Sequence, residues 1–311
     1  MKQETWMKWA VYEGLTKTLS RILQKTVGVA SNSWGGTFLA SGIVGLVQVV
    51  IVTVFELSHR KLGLFKDFKG ALGSSIFGIL ALTSTVLGFA TFMKGGDIST
   101  STFIVTLSIV PGMLIDIIFF RYKSNLREWI GMSVAIFAGY SILGFPRLEE
   151  VLKMPSWVWL AVGNMMTVAI NQGITQAVKK VDPLFKNFWG GLMALILAPL
   201  LMVVIGQGEL LFQFEKNMKI WYASILIGFV VIAMWSFNLL SYQCGASIAL
   251  KKLVMNATYL VSTLIIGALF FHEKITAGKM LAPPLFCCAF ILMDQKMWNY
   301  VTGTPPKPVK T

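Results

Sequence analysis

The sequence predicts an all-α membrane protein with ten transmembrane helices, arranged as two inverted five-helix repeats. Of its 311 residues, 55% are hydrophobic and 13% are charged, whereas soluble proteins carry about 25% charged residues. Several uncharged apolar runs also reach the ~20 residues that a helix needs to cross a bilayer. We assign the first repeat to residues 1–150, the second to residues 151–298, and a disordered cytoplasmic tail to residues 299–311.

The ten predicted segments follow the apolar runs along the chain. They cover 6–29, 34–55, 70–93, 98–120, 127–145, 155–178, 187–205, 220–242, 247–274 and 277–293. The first is the least apolar, because Glu13, Lys17, Arg21 and Lys25 recur every four residues and therefore share one helical face. Alone, such a helix would lie in the membrane interface; inside a bundle it would line a cavity. The internal repeat favours the cavity.

That repeat divides the chain into two halves. The motif WGG opens the second segment at 34–36 and the seventh at 189–191, and the same offset aligns Lys25 with Lys180. Each half has five segments, an odd number, so the halves must be inverted relative to one another. Inverted repeats are common in secondary transporters, whose substrate site lies near the midplane between the halves.

Basic residues concentrate in the loops that face the cytoplasm if the N-terminus is inside. These loops hold Arg60, Lys61, Lys66, Lys69, Arg121, Lys123, Arg127, Lys179, Lys180 and Lys186. The positive-inside rule then predicts that both termini are cytoplasmic. It also explains most of the net charge of +13 without a nucleic-acid partner. With short loops and no visible targeting segment, we expect a multi-pass protein whose partner is the lipid bilayer of a bacterial plasma membrane.

The ninth segment carries two adjacent lysines, Lys251 and Lys252, inside its apolar run. A cation at membrane depth costs at least ~3 kcal/mol and is usually functional. Asn256 and Tyr259 continue a polar stripe from Lys252 at spacings of four and three, which places them on one face. Two interpretations remain open: the lysines bind a substrate, or they snorkel to the interface as positive-inside charges.

Further candidate site residues lie on other segments. Lys17 and Arg21 of the first segment could join the lysines in an anion pocket, which needs several donors to replace water. Alternatively, Lys17 pairs with Glu13 one turn away and Arg21 snorkels outward. The amides of Asn171, Gln172 and Asn238 could bind hydroxyls or a base, or simply link helices at ~0.6 kcal/mol each.

Two stretches carry a family resemblance. They are STSTFIVTLSIVPGMLIDIIFF, followed by LREWIGMSVAIFAGYSIL, and LIIGALFFHEKITAGKMLAPPLFCCAFIL. They resemble the drug/metabolite transporter superfamily, particularly its EamA-like ten-helix members. FFHEKIT is similar to that family's phenylalanine/leucine-glycine-glutamate-arginine-leucine segment before the final helix. In the first half, Arg121-Tyr122-Lys123 stands where the family usually has the glutamate.

The resemblance spans nearly the whole chain and implies a transporter. Branches of the superfamily that move phosphate-bearing solutes have basic pairs on the ninth helix, which hold the substrate phosphate. Lys251 and Lys252 stand at a similar position. The resemblance therefore implies an anionic solute.

The sequence indicates no enzyme, cofactor or metal site. It has no Walker loop, no nucleophile beside a base, and only two histidines without metal-ligand spacing. We therefore predict a secondary transporter that moves a small polar, anionic or phosphorylated metabolite by alternating access. We also consider a homodimer as a partner arrangement for this chain. The alternatives are an exporter of amino acids or cationic compounds, in which Glu13 or Asp116 would matter more, and a membrane enzyme or scaffold.

Overall fold

The computed structural model describes residues 2–59, 63–145, 147, 149–150 and 153–302. This part of the chain forms α-helices, two short 3-10 turns and no strand, which confirms the helical class. The helices are α1 (Lys2–Ser31), α2 (Trp34–His59), α3 (Phe68–Met93), α4 (Ile98–Thr106), α5 (Ile109–Phe119), α6 (Leu126–Ile142), α7 (Ser156–Ala177), α8 (Pro183–Val204), α9 (Met218–Gln243), α10 (Ile248–Phe271), α11 (Ala277–Met293) and α12 (Gln295–Thr302).

In the part of the chain that the structure describes, six helical stretches are long and apolar enough to cross a membrane. They are Trp34–Ser58, Phe68–Met93, Ile98–Phe119, Pro183–Val204, Glu215–Gln243 and Leu250–Phe271. The protein is therefore a multi-pass membrane protein. The other long helices are less suited to cross alone: α6 and α11 have 17 residues each, and α1 and α7 carry charged or amide side chains.

The fourth predicted segment is not one continuous helix. α4 ends at Thr106 and α5 begins at Ile109, with tighter i-to-i+3 hydrogen bonds between, such as the bond from the Ser108 N–H to the Val105 carbonyl. Pro111 lies in the first turn of α5 and has no N–H for the Leu107 carbonyl four residues earlier, which accepts from the Val110 N–H instead.

The helices cross the bundle in both directions, and each starts or stops at one of its two ends. We call the end at which α1 begins the first face; here Trp6 of α1 packs with Tyr242 near the end of α9 and Ile248 at the start of α10. The end at which α1 stops is the second face. There Lys25 of α1 contacts Glu273, which follows α10, and Glu273 contacts the start of α4.

Glycines allow three of the helices to touch closely. A Cβ atom added to Gly45 of α2 would lie 2.5 Å from the carbonyl oxygen of Gly191 in α8. A Cβ atom on Gly78 of α3 would lie 2.6 Å from the Cα atom of Gly190. α8 therefore touches α2 and α3 backbone to backbone, as small residues permit in membrane helices.

The helix bounds repeat along the chain. α3 and α9 both have 26 residues, α6 and α11 both have 17 residues, and nearly the same offset in numbering relates each pair at both ends. Residues with a left-handed backbone conformation repeat at the same offsets: Gly95 corresponds to Gly245, and Arg121 corresponds to His272. The WGG motifs do not share this offset. α2 begins at Trp34, but α8 begins at Pro183, well before its WGG, so the prediction that WGG opens the seventh segment is wrong.

The end of the chain is helical further than the sequence suggested. α12 runs to Thr302, which covers the first part of the tail predicted for residues 299–311. The rest of that tail lies outside the described residues.

Candidate functional site

A polar cavity lies inside the bundle. α1, α3, α7 and α9 form most of its wall, and its volume is about 100 Å³, enough for several water molecules or a small solute. Six of the nine residues predicted as substrate-binding line it: Lys17, Arg21, Asn171, Gln172, Asn238 and Tyr259. The other three, Lys251, Lys252 and Asn256, lie on α10 outside the lining.

Arg21 reaches from α1 across the cavity toward α4. Its two terminal nitrogens donate to Gln24 Oε1 and to Ser101 Oγ, each at 3.1 Å, and its guanidinium lies 4.4 Å from the centre of the Phe92 ring. Arg21 is 4% exposed and, among the described residues, its Nε–H has no acceptor. A buried guanidinium with an unused donor beside a cavity is suited to bind an anion.

Lys251 belongs to a buried network at the end of the cavity nearer the first face. Its amine lies 2.8 Å from Glu13 Oε2 and donates to Gln172 Oε1, also at 2.8 Å. Gln172 Oε1 also accepts from Asn238 at 3.0 Å and from the Tyr242 hydroxyl at 2.7 Å. Lys251 is fully buried, so its charge is balanced by Glu13 rather than by solvent.

Lys252 points away from Lys251, as consecutive helix residues must. Its amine donates to Ser108 Oγ at 2.5 Å, and Asn256 donates to the Thr106 carbonyl at 3.0 Å. Both acceptors lie at the interruption between α4 and α5. Lys252 and Asn256 therefore fasten α10 to that interruption, where a continuous helix would have satisfied the Thr106 carbonyl.

Three further predicted residues, Lys17, Tyr259 and Asn171, belong to the polar lining. The Lys17 amine lies 5.0 Å from the centre of the Tyr259 ring, and the Tyr259 hydroxyl accepts from Thr102 at 3.4 Å. Asn171 is 8% exposed and its Oδ1 atom has no donor among the described residues. Asn171 and Lys17 thus leave hydrogen-bonding capacity that a bound solute could use.

The sequence did not single out one polar cluster at the second face. Glu273, in the connection from α10 to α11, forms an ion pair with Lys25 of α1 at 2.9 Å. The same carboxylate accepts from the Ile98 N–H at 2.6 Å, the Ser99 N–H at 3.0 Å and the Ser99 hydroxyl at 2.5 Å. Lys25 stood in the four-residue pattern on α1, but its partner is 248 residues away, which no local pattern reveals.

These contacts keep the Glu273 carboxylate ionised. Burial alone would raise its pKa, but the hydrogen bonds from Ser99, Lys25 and the Ile98 N–H together lower the pKa below its ordinary value of 4.5. Because the pKa is lowered, the contact stabilises the folded protein fully at pH values above the ordinary pKa. This contribution is lost as the pH falls through the lowered pKa. The cluster therefore stays intact at neutral pH.

Lys186 of α8 is another buried amine outside the cavity lining. It is fully buried and, in the part of the chain that the structure describes, its Nζ atom has no hydrogen-bond acceptor. The amine lies 4.3 Å from the centre of the Phe77 ring. Phe77 and Trp235, which lie edge to face at 4.6 Å, separate it from the cavity.

Replacing Lys186 by Met should stabilise the protein. The substitution keeps the side-chain length and removes an unsatisfied buried donor, which costs about 1–3 kcal/mol, against a cation–π contact of about 1–2 kcal/mol. We expect a higher melting temperature in detergent for Lys186→Met. The exposed Lys69→Met should leave it unchanged; a lower melting temperature for Lys186→Met would contradict the argument.

Comparisons with known proteins give a fold but no family. No family model and no curated protein matches the chain. A solved structure described only as a crystal structure of a protein superposes with a TM-score of 0.63 at 14% identity, over 93% of this chain and 98% of that chain. At this identity the likeness concerns the fold alone. Among the described residues, no cluster of three or more His, Cys, Asp or Glu side chains is placed to hold a metal ion.

Proposed function

We propose that the protein is a secondary transporter of a small anionic metabolite, working by alternating access. The observation that carries the proposal is the charge of the central cavity. Its lining holds two cations, Lys17 and Arg21, and one carboxylate, Glu13, which is already paired with Lys251. An unpaired positive charge enclosed in a membrane bundle marks an anion path, and an arriving anion would balance it.

The pairing of the helices supports the inverted repeat that this mechanism would use. We treat α4 and α5 as one segment, so that five segments run from α1 to α6 and five from α7 to α11. If each segment is replaced by its counterpart five positions away, packed pairs map onto packed pairs. The α1–α9 pair becomes the α7–α3 pair, and the α2–α8 and α6–α11 pairs each map onto themselves. Such pairing, together with the repeated bounds of α3 in α9 and of α6 in α11, is what two inverted halves would produce.

The membrane arrangement is proposed on the same basis. Ten segments cross the bilayer, with α1, α6, α7 and α11 packed among the six apolar spans. The loop charges favour both termini in the cytoplasm, and we assign the protein to a bacterial plasma membrane. The first face would then be cytoplasmic. The resemblance to EamA-like members of the drug/metabolite transporter superfamily fits this arrangement.

The anion would bind between Arg21 and Lys17, with the amides of Asn171 and Asn238 available for its polar groups. Lys251 acts indirectly, by neutralising Glu13, which would otherwise repel the anion. Lys252 acts further out, at the interruption between α4 and α5. The proposal therefore places the direct contacts on α1 and α7 more than on α10.

One observation favours a second function. Glu13 lines the cavity, and a carboxylate there could hold an organic cation if Lys251 released it. In that case the protein would export amines or amino acids. Asp116, the other candidate carboxylate, lies in α5 outside the lining.

Ligand-dependent melting distinguishes the two functions. Purified protein would be heated with phosphorylated sugars, nucleotides, carboxylates, amino acids and organic cations in turn. A ligand at 100 times its dissociation constant stabilises the native state by about 2.7 kcal/mol, and we expect such shifts with anions. Stabilisation by organic cations alone would contradict the anion proposal, and uptake of the stabilising anion into proteoliposomes would then test transport.

A further inference from the structure

α1 carries three cations in a row. Lys17, Arg21 and Lys25 are spaced by four residues, so each lies about 6 Å further along the same face. Lys17 and Arg21 line the central cavity. Lys25 lines a separate, open recess of about 460 Å³ at the second face. The three side chains thus lie in line from the recess to the cavity.

The recess is built to attract anions. Lys25, Lys274 and Lys279 line it, against the carboxylates of Asp97 and Glu273. Asp97 is half exposed and lies 3.9 Å from Lys279, so it shields that lysine only weakly. At the inner end of the recess, the start of α4 presents the N–H groups of Ile98 and Ser99, which favour an anion at a helix N-terminus.

An anion already occupies that point, namely the Glu273 carboxylate. It pairs with the Lys25 amine and accepts hydrogen bonds from two N–H groups of α4 and from the Ser99 hydroxyl. Its side chain is only 6% exposed. These are the donors that a free carboxylate or phosphate would need.

The local backbone holds Glu273 in this place. His272 ends α10 with a left-handed φ of 51°, and the Glu273 N–H then bonds back to the Gly267 carbonyl at 3.0 Å. A Cβ atom on Gly267 would lie 2.8 Å from Glu273 Oε2, so the missing side chain leaves room for the carboxylate. The occupant is thus part of the fold and remains tethered by α10.

The opposite end of the repeat lacks this arrangement. At the offset that relates His272 to Arg121, the counterpart of Glu273 is Tyr122, whose hydroxyl donates to Glu128 at 2.9 Å. The start of α10, which is the counterpart of the start of α4, is capped by its own Ser247. Among the described residues, a tethered carboxylate therefore closes the second face and has no counterpart at this position of the first face.

We propose that Lys25, Ser99 and the N-terminus of α4 form an anion access site, from which the transported anion displaces Glu273 on its way to Arg21 and Lys17. The ligand is a carboxylate or phosphate group, since it must replace a carboxylate on the same donors. This inference rests on the proposed anion transport, and it adds the route and the gate. Glu273 acts as an internal competitor that keeps the second face closed until an anion arrives.

The test is anion binding after the competitor is removed. Inorganic phosphate is titrated against the melting temperature of the wild type, Glu273→Gln and Lys25→Met/Glu273→Gln. A tethered group competes at an effective concentration on the order of millimolar, so the phosphate midpoint of Glu273→Gln should be at least ~10-fold lower than that of the wild type. The double variant should lose this gain, because its access site lacks the cation.

Glu209→Gln is the control. It removes an exposed carboxylate that lies outside the recess and the cavity, and phosphate also stabilises proteins non-specifically, so its midpoint should equal that of the wild type. If Glu273→Gln does not fold, Glu273→Asp shortens the reach of the carboxylate toward Lys25 and Ser99 while leaving every donor of the access site in place, and it should shift the midpoint in the same direction by less. Equal midpoints for the wild type and Glu273→Gln, or for the wild type and a Glu273→Asp variant used in its place, would overturn the proposal. Uptake by the wild type is measured separately, so the access site and the transport function can fail independently.

Discussion

Glu13→Gln should be the most destabilising single change in the cavity wall, lowering the free energy of unfolding by about 3 kcal/mol. Glu13 and Lys251 form an ion pair at 2.8 Å with side chains 3% and 0% exposed. The glutamine keeps the shape but removes the charge, which leaves the Lys251 ammonium buried without a counter-charge. We expect a clear loss of melting temperature in detergent.

Two variants test whether the lost charge balance is the cause. Glu13→Gln/Lys251→Met removes both charges and should recover most of the stability, since replacing a whole buried pair is often neutral. Asp97→Asn removes a carboxylate whose side chain is 50% exposed and whose partner lies at 3.9 Å, so it should change little. If the double variant were less stable than the single one, the charge argument would be wrong.

Arg21→Gln should reduce anion uptake into proteoliposomes by about 10–100-fold while the protein stays folded. Hydrogen bonds to charged groups contribute about 1.5–3 kcal/mol, and every 1.4 kcal/mol is a factor of ten. The glutamine can still reach Gln24 or Ser101 but brings no charge to the cavity. The melting shift produced by the anion should fall in parallel.

Lys186→Met is the matched control for the loss of a buried cation. Lys186 is as buried as Arg21 but lies behind Phe77 and Trp235, outside the lining. Its replacement should leave uptake at the wild-type rate. Unchanged uptake by Arg21→Gln would remove Arg21 from the binding site, and the amides of α7 would then be examined first.

The sequence predicts the helices well wherever a long uncharged run is bounded by turn residues. α3 and α9 are of this kind, and both lie close to their predicted bounds. The interruption at Leu107 and Ser108 lies one turn before Pro111, which has no N–H to donate to the Leu107 carbonyl. Its acceptors are satisfied from α10, by Lys252 and Asn256, and such partners lie too far away in the chain to be read locally.

The sequence predicted which residues line the candidate site better than it predicted what each of them contacts. Helical spacing was enough to put Lys17 and Arg21 on one face of α1, and both line the cavity. The sequence could not show that Lys251 is paired with Glu13, because 238 residues separate them. Composition likewise gives no sign that Glu273 reaches the start of α4, since that contact depends on how α10 ends.

The glycine contacts of α8 limit how the bundle can move. Gly190 and Gly191 bring α8 against the backbones of α3 and α2, and main chains in such contact cannot slide past each other by a helical turn without steric clash. They can still tilt, because no side chain stands between them. Alternating exposure of the cavity would then be a rocking about a pivot at these glycines, with the largest displacements on the far side, where α1 meets α10.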